Sequence, residues 1–209
     1  MEFKEFQQHC KRTLPNLDDK YLKVDSVRIS SLPIHLLDLI HMRLGVISEF
    51  EELITAVRKG DKVNIGEELG DTLWYVANDL TICKKINFID ETVYNNFASV
   101  KFDSTPKATD GGFKSSEADP AWLSALVFNA SILEDQVKKY LVYGEAMNIG
   151  EYIKAINYLI GAINNMAITQ EVDLNHYMGK VIEKLMIRYP DKFSEVLANN
   201  RDLETERKT

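Results

Sequence analysis

LLDLIHMRLGVISEFEELITAV, residues Leu36 to Val57, is the stretch that decides the fold class. Its apolar residues Leu36, Leu37, Ile40, Leu44, Ile47, Leu53 and Val57 recur mostly three or four apart, the spacing of one helix face and not the alternation of a strand. Working outward, the same reading predicts helices over about Ile65 to Ile82 and Glu91 to Lys101, the latter behind Asp90 as N-cap. Further helices are expected over about Ala121 to Val142, Gly150 to Ile168 and Leu174 to Arg188. Pro15, Pro33, Pro106, Pro120 and Pro190 all fall where the periodicity pauses, and Pro190 ends the last helix. Asp103 to Asp119, with Pro106, Gly111, Gly112 and Ser115-Ser116, reads as a linker. The expectation is an all-α protein, a helical bundle.

The second set of helices repeats the first. Asn64-Ile65-Gly66-Glu67 recurs letter for letter as Asn148-Ile149-Gly150-Glu151, 84 residues on. Upstream, Val57-Arg58-Lys59 matches Val137-Lys138-Lys139, with extra residues in the Tyr140 to Met147 loop. Downstream, Asp90 pairs with Asp173, Tyr94 with Tyr177 and Lys101 with Lys184. Three matched blocks in one order indicate an internal duplication, with halves at 1–115 and 116–209.

Composition narrows the function. With 25 basic against 32 acidic residues the net charge is −7, a field that repels a nucleic-acid backbone, so no nucleic-acid polymer is expected as partner. No run approaches the roughly 18 apolar residues of a membrane helix, and MEFKEFQQHCKR lacks the apolar stretch of a signal peptide, so no membrane association and a cytoplasmic location are expected. Cys10 and Cys83 have neither CxxC nor Cys/His spacing and read as reduced, buried thiols.

The chemistry concentrates in four acids. Glu49 and Glu52 are spaced i, i+3, as are Glu68 and Asp71, so each pair projects from one helix face with Cβ atoms about 5–6 Å apart. The short loop Lys59 to Val63 returns the second helix antiparallel to the first, so the pairs face each other. Crowded carboxylates repel and raise each other's pKa, an arrangement that makes sense when a divalent cation neutralises them. All-oxygen ligands suit Mg²⁺, with Mn²⁺ able to substitute, better than zinc or iron. Singly, ExxE and ExxD are ordinary solvated helix faces, and Glu51 and Glu67 read so. The other four border core positions: Glu49 and Glu52 flank Ile47 and Leu53, and Glu68 and Asp71 lie among Leu69, Leu73 and Trp74. None of His9, His35, His41 or His176 completes a Glu-x-x-His motif, which removes a di-iron bundle.

Glu49-x-x-Glu52-Leu53, with fifteen residues between Glu52 and Glu68, then Glu68-Leu69-Gly70-Asp71 resembles the MazG-like, all-α nucleoside triphosphate pyrophosphohydrolase family. The tail Lys184-Leu185-Met186-Ile187-Arg188-Tyr189-Pro190-Asp191-Lys192-Phe193, with Asn200-Arg201-Asp202-Leu203, is also similar to the C-terminal segment of phage and bacterial members. The resemblance implies a four-helix bundle in which Glu49, Glu52, Glu68 and Asp71 are the metal ligands and catalytic acids, with water attacking a nucleoside triphosphate substrate to release the monophosphate and pyrophosphate. It implies nucleotide-holding roles for Tyr75, Lys101, Lys184 and Arg188. For Tyr75 the competing reading is a packed aromatic beside Trp74, and for Arg188 a plain surface charge.

The matched blocks align Glu49 with Asn129, Glu52 with Ile132, Glu68 with Tyr152 and Asp71 with Ala155, so the second half lacks every ligand. Family members commonly dimerise through these helices. The second half therefore reads as an in-chain partner, making the chain a pseudo-dimer that could pair further as a homo-dimer. A different class of function, a non-catalytic helical module binding nucleotide or protein, is suggested by the degenerate half and opposed by the intact acids of the first.

Overall fold

The computed structural model describes residues 34–102 and 120–189. They form six α-helices: α1 (Ile34–Lys59), α2 (Lys62–Lys85), α3 (Glu91–Ala98), α4 (Pro120–Tyr143), α5 (Ile149–Thr169) and α6 (Leu174–Arg188), and no strand is found among the described residues. The fold is all-α, as the periodicity requires. Cys10, the linker from Asp103 to Asp119 and the tail from Pro190 lie outside the described residues. Contacts divide the chain between Asp38 and Leu39, inside α1, and the unit beginning at Leu39 carries the remainder of the six helices.

Local chemistry sets the helix ends. Gly60, at φ +66°, takes the left-handed conformation that closes α1. Asp61 then caps α2 by accepting the Asn64 N–H at 3.2 Å. Asn87, at φ 57°, follows α2, and Asp90 caps α3 by accepting from the Val93 N–H at 2.8 Å. The punctuation recurs after α4: Gly144 at φ +71°, Asn148 capping α5, Glu171 at φ 56°, and Asp173 capping α6. The two helix triplets thus share their order of stops and starts.

The third helix is shorter than its sequence suggests, ending at Ala98 instead of Lys101. The Ser99 hydroxyl turns back to donate to the Asn96 carbonyl at 3.0 Å, a local bond that competes with helix continuation.

Leu53, Leu69, Leu126, Ile156, Leu159 and Ile163 are fully buried, each stabilising the fold by about 1.5–3 kcal/mol. α4 packs on α5, and α2 packs on α5, α6 and α3. The α2–α6 contact is close because α2 presents Gly66 and Gly70 to it. A Cβ on Gly66 would fall 2.2 Å from the Tyr177 ring, and one on Gly70 would fall 3.0 Å from Val181 and 3.1 Å from the Tyr177 carbonyl.

A buried polar hub ties four helices together. Arg43 of α1 donates from Nε to Asp79 Oδ2 of α2 at 2.8 Å and from Nη1 to the Leu133 carbonyl of α4 at 2.5 Å. Tyr152 of α5 donates its hydroxyl to Asp79 Oδ1 at 2.7 Å. Burial, and then the Asp79 charge, hold the Tyr152 phenol well above its ordinary pKa, so it stays a donor. Arg43 and Asp79 are each 2% exposed, a pair that is strongly stabilising only while both partners remain.

Candidate metal and nucleotide site

Antiparallel return of α2 along α1 is seen in its cross-contacts. The Tyr75 ring lies so close over Gly45 that a Cβ there would sit 2.2 Å from it. One layer nearer the Gly60 turn, Glu49 of α1 meets Glu68 and Asp71 of α2. One carboxylate oxygen from each lies within 4.8 Å of the others, and all three residues are half-buried. This is the group of three or more ligand-type side chains found among the described residues. Glu52 lies outside the group, exposed on α1 one turn on, and adds its charge to Glu49 and Glu68. Glu51 and Glu67 are exposed.

Electrostatics at this cluster are those of acids pressed together. Burial first, then a hydrogen bond shared with Glu49 and the charges of Glu52, Glu49 and Asp71, push Glu68 up to about 9. Glu49 is also raised, by burial above all and by Asp71 and Glu52, while the hydrogen bond with Glu68 pulls the other way. In the metal-free protein Glu68 therefore holds a proton at neutral pH and donates it to Glu49.

Positive charge arrives from the far end of the chain. Lys184 of α6 places Nζ 2.5 Å from Asp71 Oδ2, with both side chains about three-quarters buried. Arg188, one turn later, lowers the pKa of the Tyr75 phenol, which burial first and then Glu49 and Asp71 raise. Tyr75 makes edge contacts with Trp74 and His41, at centroid distances of 5.0 and 6.1 Å. It is thus a packed aromatic beside Trp74 that also borders the acids.

Lys101 is placed elsewhere. It lines an apolar cavity of about 590 Å³ with Leu73, Val76, Phe97, Ile160 and Met178, on the face of α2 opposite Glu68 and Asp71. In the second half, Asn129, Ile132 and Ala155 open together onto a groove of about 510 Å³ that also takes in Lys139, Lys154 and Tyr158. Tyr152, the fourth aligned position, is turned wholly inward to the hub.

The hub escaped the sequence reading, although it left a signal. Arg43 sits four after Leu39 and three before Val46, a charge on the buried stripe of α1, and such a charge demands a partner. The close pairing of Lys184 with Asp71 left none, since the two lie 113 residues apart.

Residues 39–97 match the family model of the MazG nucleotide pyrophosphohydrolase domain. The segment is thus similar to that domain, and all four acids fall within it, while Lys101, Lys184 and Arg188 lie beyond. Neither the curated proteins nor the solved structures gave a match to the chain. No described helix is long and apolar enough to cross a membrane.

Proposed function

We propose that the MazG-type domain of residues 39–97 makes this chain a divalent-metal-dependent nucleoside triphosphate pyrophosphohydrolase, converting a (d)NTP to the (d)NMP and pyrophosphate. The observation that carries the reading is the convergence of Glu49, Glu68 and Asp71 within 4.8 Å. That donor set fits a hard cation: all ligands are oxygen, and their mutual repulsion is what a divalent charge relieves. Glu49, Glu68 and Asp71, with Glu52 at the rim, would hold Mg²⁺ or Mn²⁺. The ion supplies the positive charge against which a polyphosphate can bind and be cleaved.

The chain's own groups do the rest. A glutamate with a free oxygen, Glu49 or Glu52, takes the proton of the attacking water. Water adds across the α–β phosphoanhydride, and pyrophosphate leaves. Lys184 and Arg188 supply cationic contacts from α6, and Tyr75 and Trp74 border the nucleotide. The second half acts as an in-chain partner that completes the bundle around a single working site. The recurrent helix punctuation and the hub joining α1 and α2 to α4 and α5 support this pseudo-dimer. A soluble cytoplasmic enzyme acting on nucleotide pools is the setting that fits.

The test is pyrophosphate release from a panel of ribo- and deoxyribonucleoside triphosphates, with Mg²⁺ and with chelator. Metal-dependent release that is lost in Glu49→Gln and Asp71→Asn supports the enzyme. Metal-dependent nucleotide binding without any release would favour a non-catalytic binding module instead.

A further inference from the structure

Tyr177, Val181 and Lys184 lie along one face of α6, at i, i+4 and i+7. The first two fill the space left by Gly66 and Gly70, and the third reaches Asp71, the residue after Gly70. The glycines are what allow this: with a Cβ at either position the α6 contacts would have to shift, carrying Lys184 away from the acids. The ammonium is therefore delivered by a packed helix face and held on one of the two Asp71 oxygens at 2.5 Å. A cation bound among Glu49, Glu68 and Asp71 draws on the same carboxylate that Lys184 already neutralises. Two positive groups cannot both be close to Asp71 without mutual repulsion, which partial burial strengthens.

Resting on the metal-binding reading above, we propose that Lys184 is a built-in competitor for the metal. It serves as the counter-cation of Asp71 in the metal-free protein, lowers the affinity of the carboxylate site, and is released from Asp71 when the ion enters. Metal occupancy and the docking of the last turns of α6 are then linked. By reciprocity, whatever loosens α6 tightens the metal site, and metal loosens α6.

The experiment is Mn²⁺ titration of the full chain, followed by the electron paramagnetic resonance signal of free Mn²⁺. Lys184→Met should bind Mn²⁺ roughly tenfold more tightly than wild type, and Lys184→Arg should stay close to wild type. Lys180→Met, which removes the same charge one turn earlier, where Lys180 pairs with Glu183 at 3.8 Å, should shift affinity by less than about twofold. Amide hydrogen exchange gives a second reading: Mg²⁺ should speed exchange near the end of α6 in wild type and leave it unchanged in Lys184→Met. If Lys184→Met binds Mn²⁺ no more tightly than wild type, the competitor is refuted while the metal site stands. Equal tightening in Lys180→Met and Lys184→Met overturns it in favour of a diffuse charge effect. Absence of Mn²⁺ binding in wild type and all variants overturns the metal site and the competitor together.

Discussion

The groove between α1 and α2 and the groove between α4 and α5 are built from helices that start and stop in the same way, yet their chemistry is opposite. In the first, three acids converge, α6 packs against Gly66 and Gly70, and a lysine is delivered to Asp71. In the second, Asn129, Ile132 and Ala155 stand at the matched positions, and Lys154, matched with Gly70, lines the groove. The difference teaches that a helix pair supplies the scaffold of such a site, while its function depends on a few side chains and on small residues that admit a third helix. Tyr152 carries the contrast furthest, because at the position matched with Glu68 it donates to the buried Arg43–Asp79 pair.

The largest effect is expected at the hub. Arg43→Met leaves Asp79 buried without its charge partner and should destabilise the protein by about 3–5 kcal/mol, with Tyr152→Phe costing about 1.5–3 kcal/mol. Denaturant unfolding should show one transition moving as a whole. Two transitions, with only the second-half one displaced by Tyr152→Phe, would show that the halves are independent.

Next comes activity. Glu49→Gln and Asp71→Asn should each lower kcat/KM by at least about a hundredfold, the scale seen when a preorganised electrostatic group is lost. Tyr158→Ala, in the second groove, should leave kcat/KM within about twofold, as an exposed substitution away from the chemistry does. Comparable losses from both grooves would end the assignment of one working site.

A smaller effect separates two glycines that share a letter in the repeated block. Gly66→Ala meets the Tyr177 ring at 2.2 Å and should cost about 1–3 kcal/mol by thermal unfolding. Gly150→Ala meets only the Asn148 side-chain oxygen at 3.3 Å, and should change stability by no more than about 0.5 kcal/mol.

The smallest expected effect is on pH. Glu68 rises from 4.5 to about 9 on folding, so between those values the native state binds the extra proton. In chelator, the contribution of Glu68 is fully present below pH 4.5 and is lost as pH rises through about 9, so stability falls across that window. Partial exposure screens the effect. Glu68→Gln should flatten the slope, and an unchanged pH profile in that variant would mean that Glu68 does not hold the proton.

What could be read from the chain alone followed the range of the interactions. Helices come from periodicity and caps within a few residues, so α2, α5 and α6 were legible to within about a turn. The pairing of Glu49 with Glu68 and Asp71 was also legible, because two i, i+3 spacings and one short turn determine it. Arg43 to Asp79, Tyr152 to Asp79 and Lys184 to Asp71 span 36, 73 and 113 residues, and no local pattern encodes which distant helix arrives. The early end of α3 turned on a single serine hydroxyl, a choice that propensity over a window averages away.

The inward turn of Tyr152 limits what can be engineered into the groove between α4 and α5. Were Glu placed there, its carboxylate would face Asp79 in a site that is sealed from water, and the repulsion would fall on the pair that joins the helices. A carboxylate site between α4 and α5 therefore cannot be built by changing Asn129, Ile132, Tyr152 and Ala155 alone, since Asp79 and Arg43 would have to change with them.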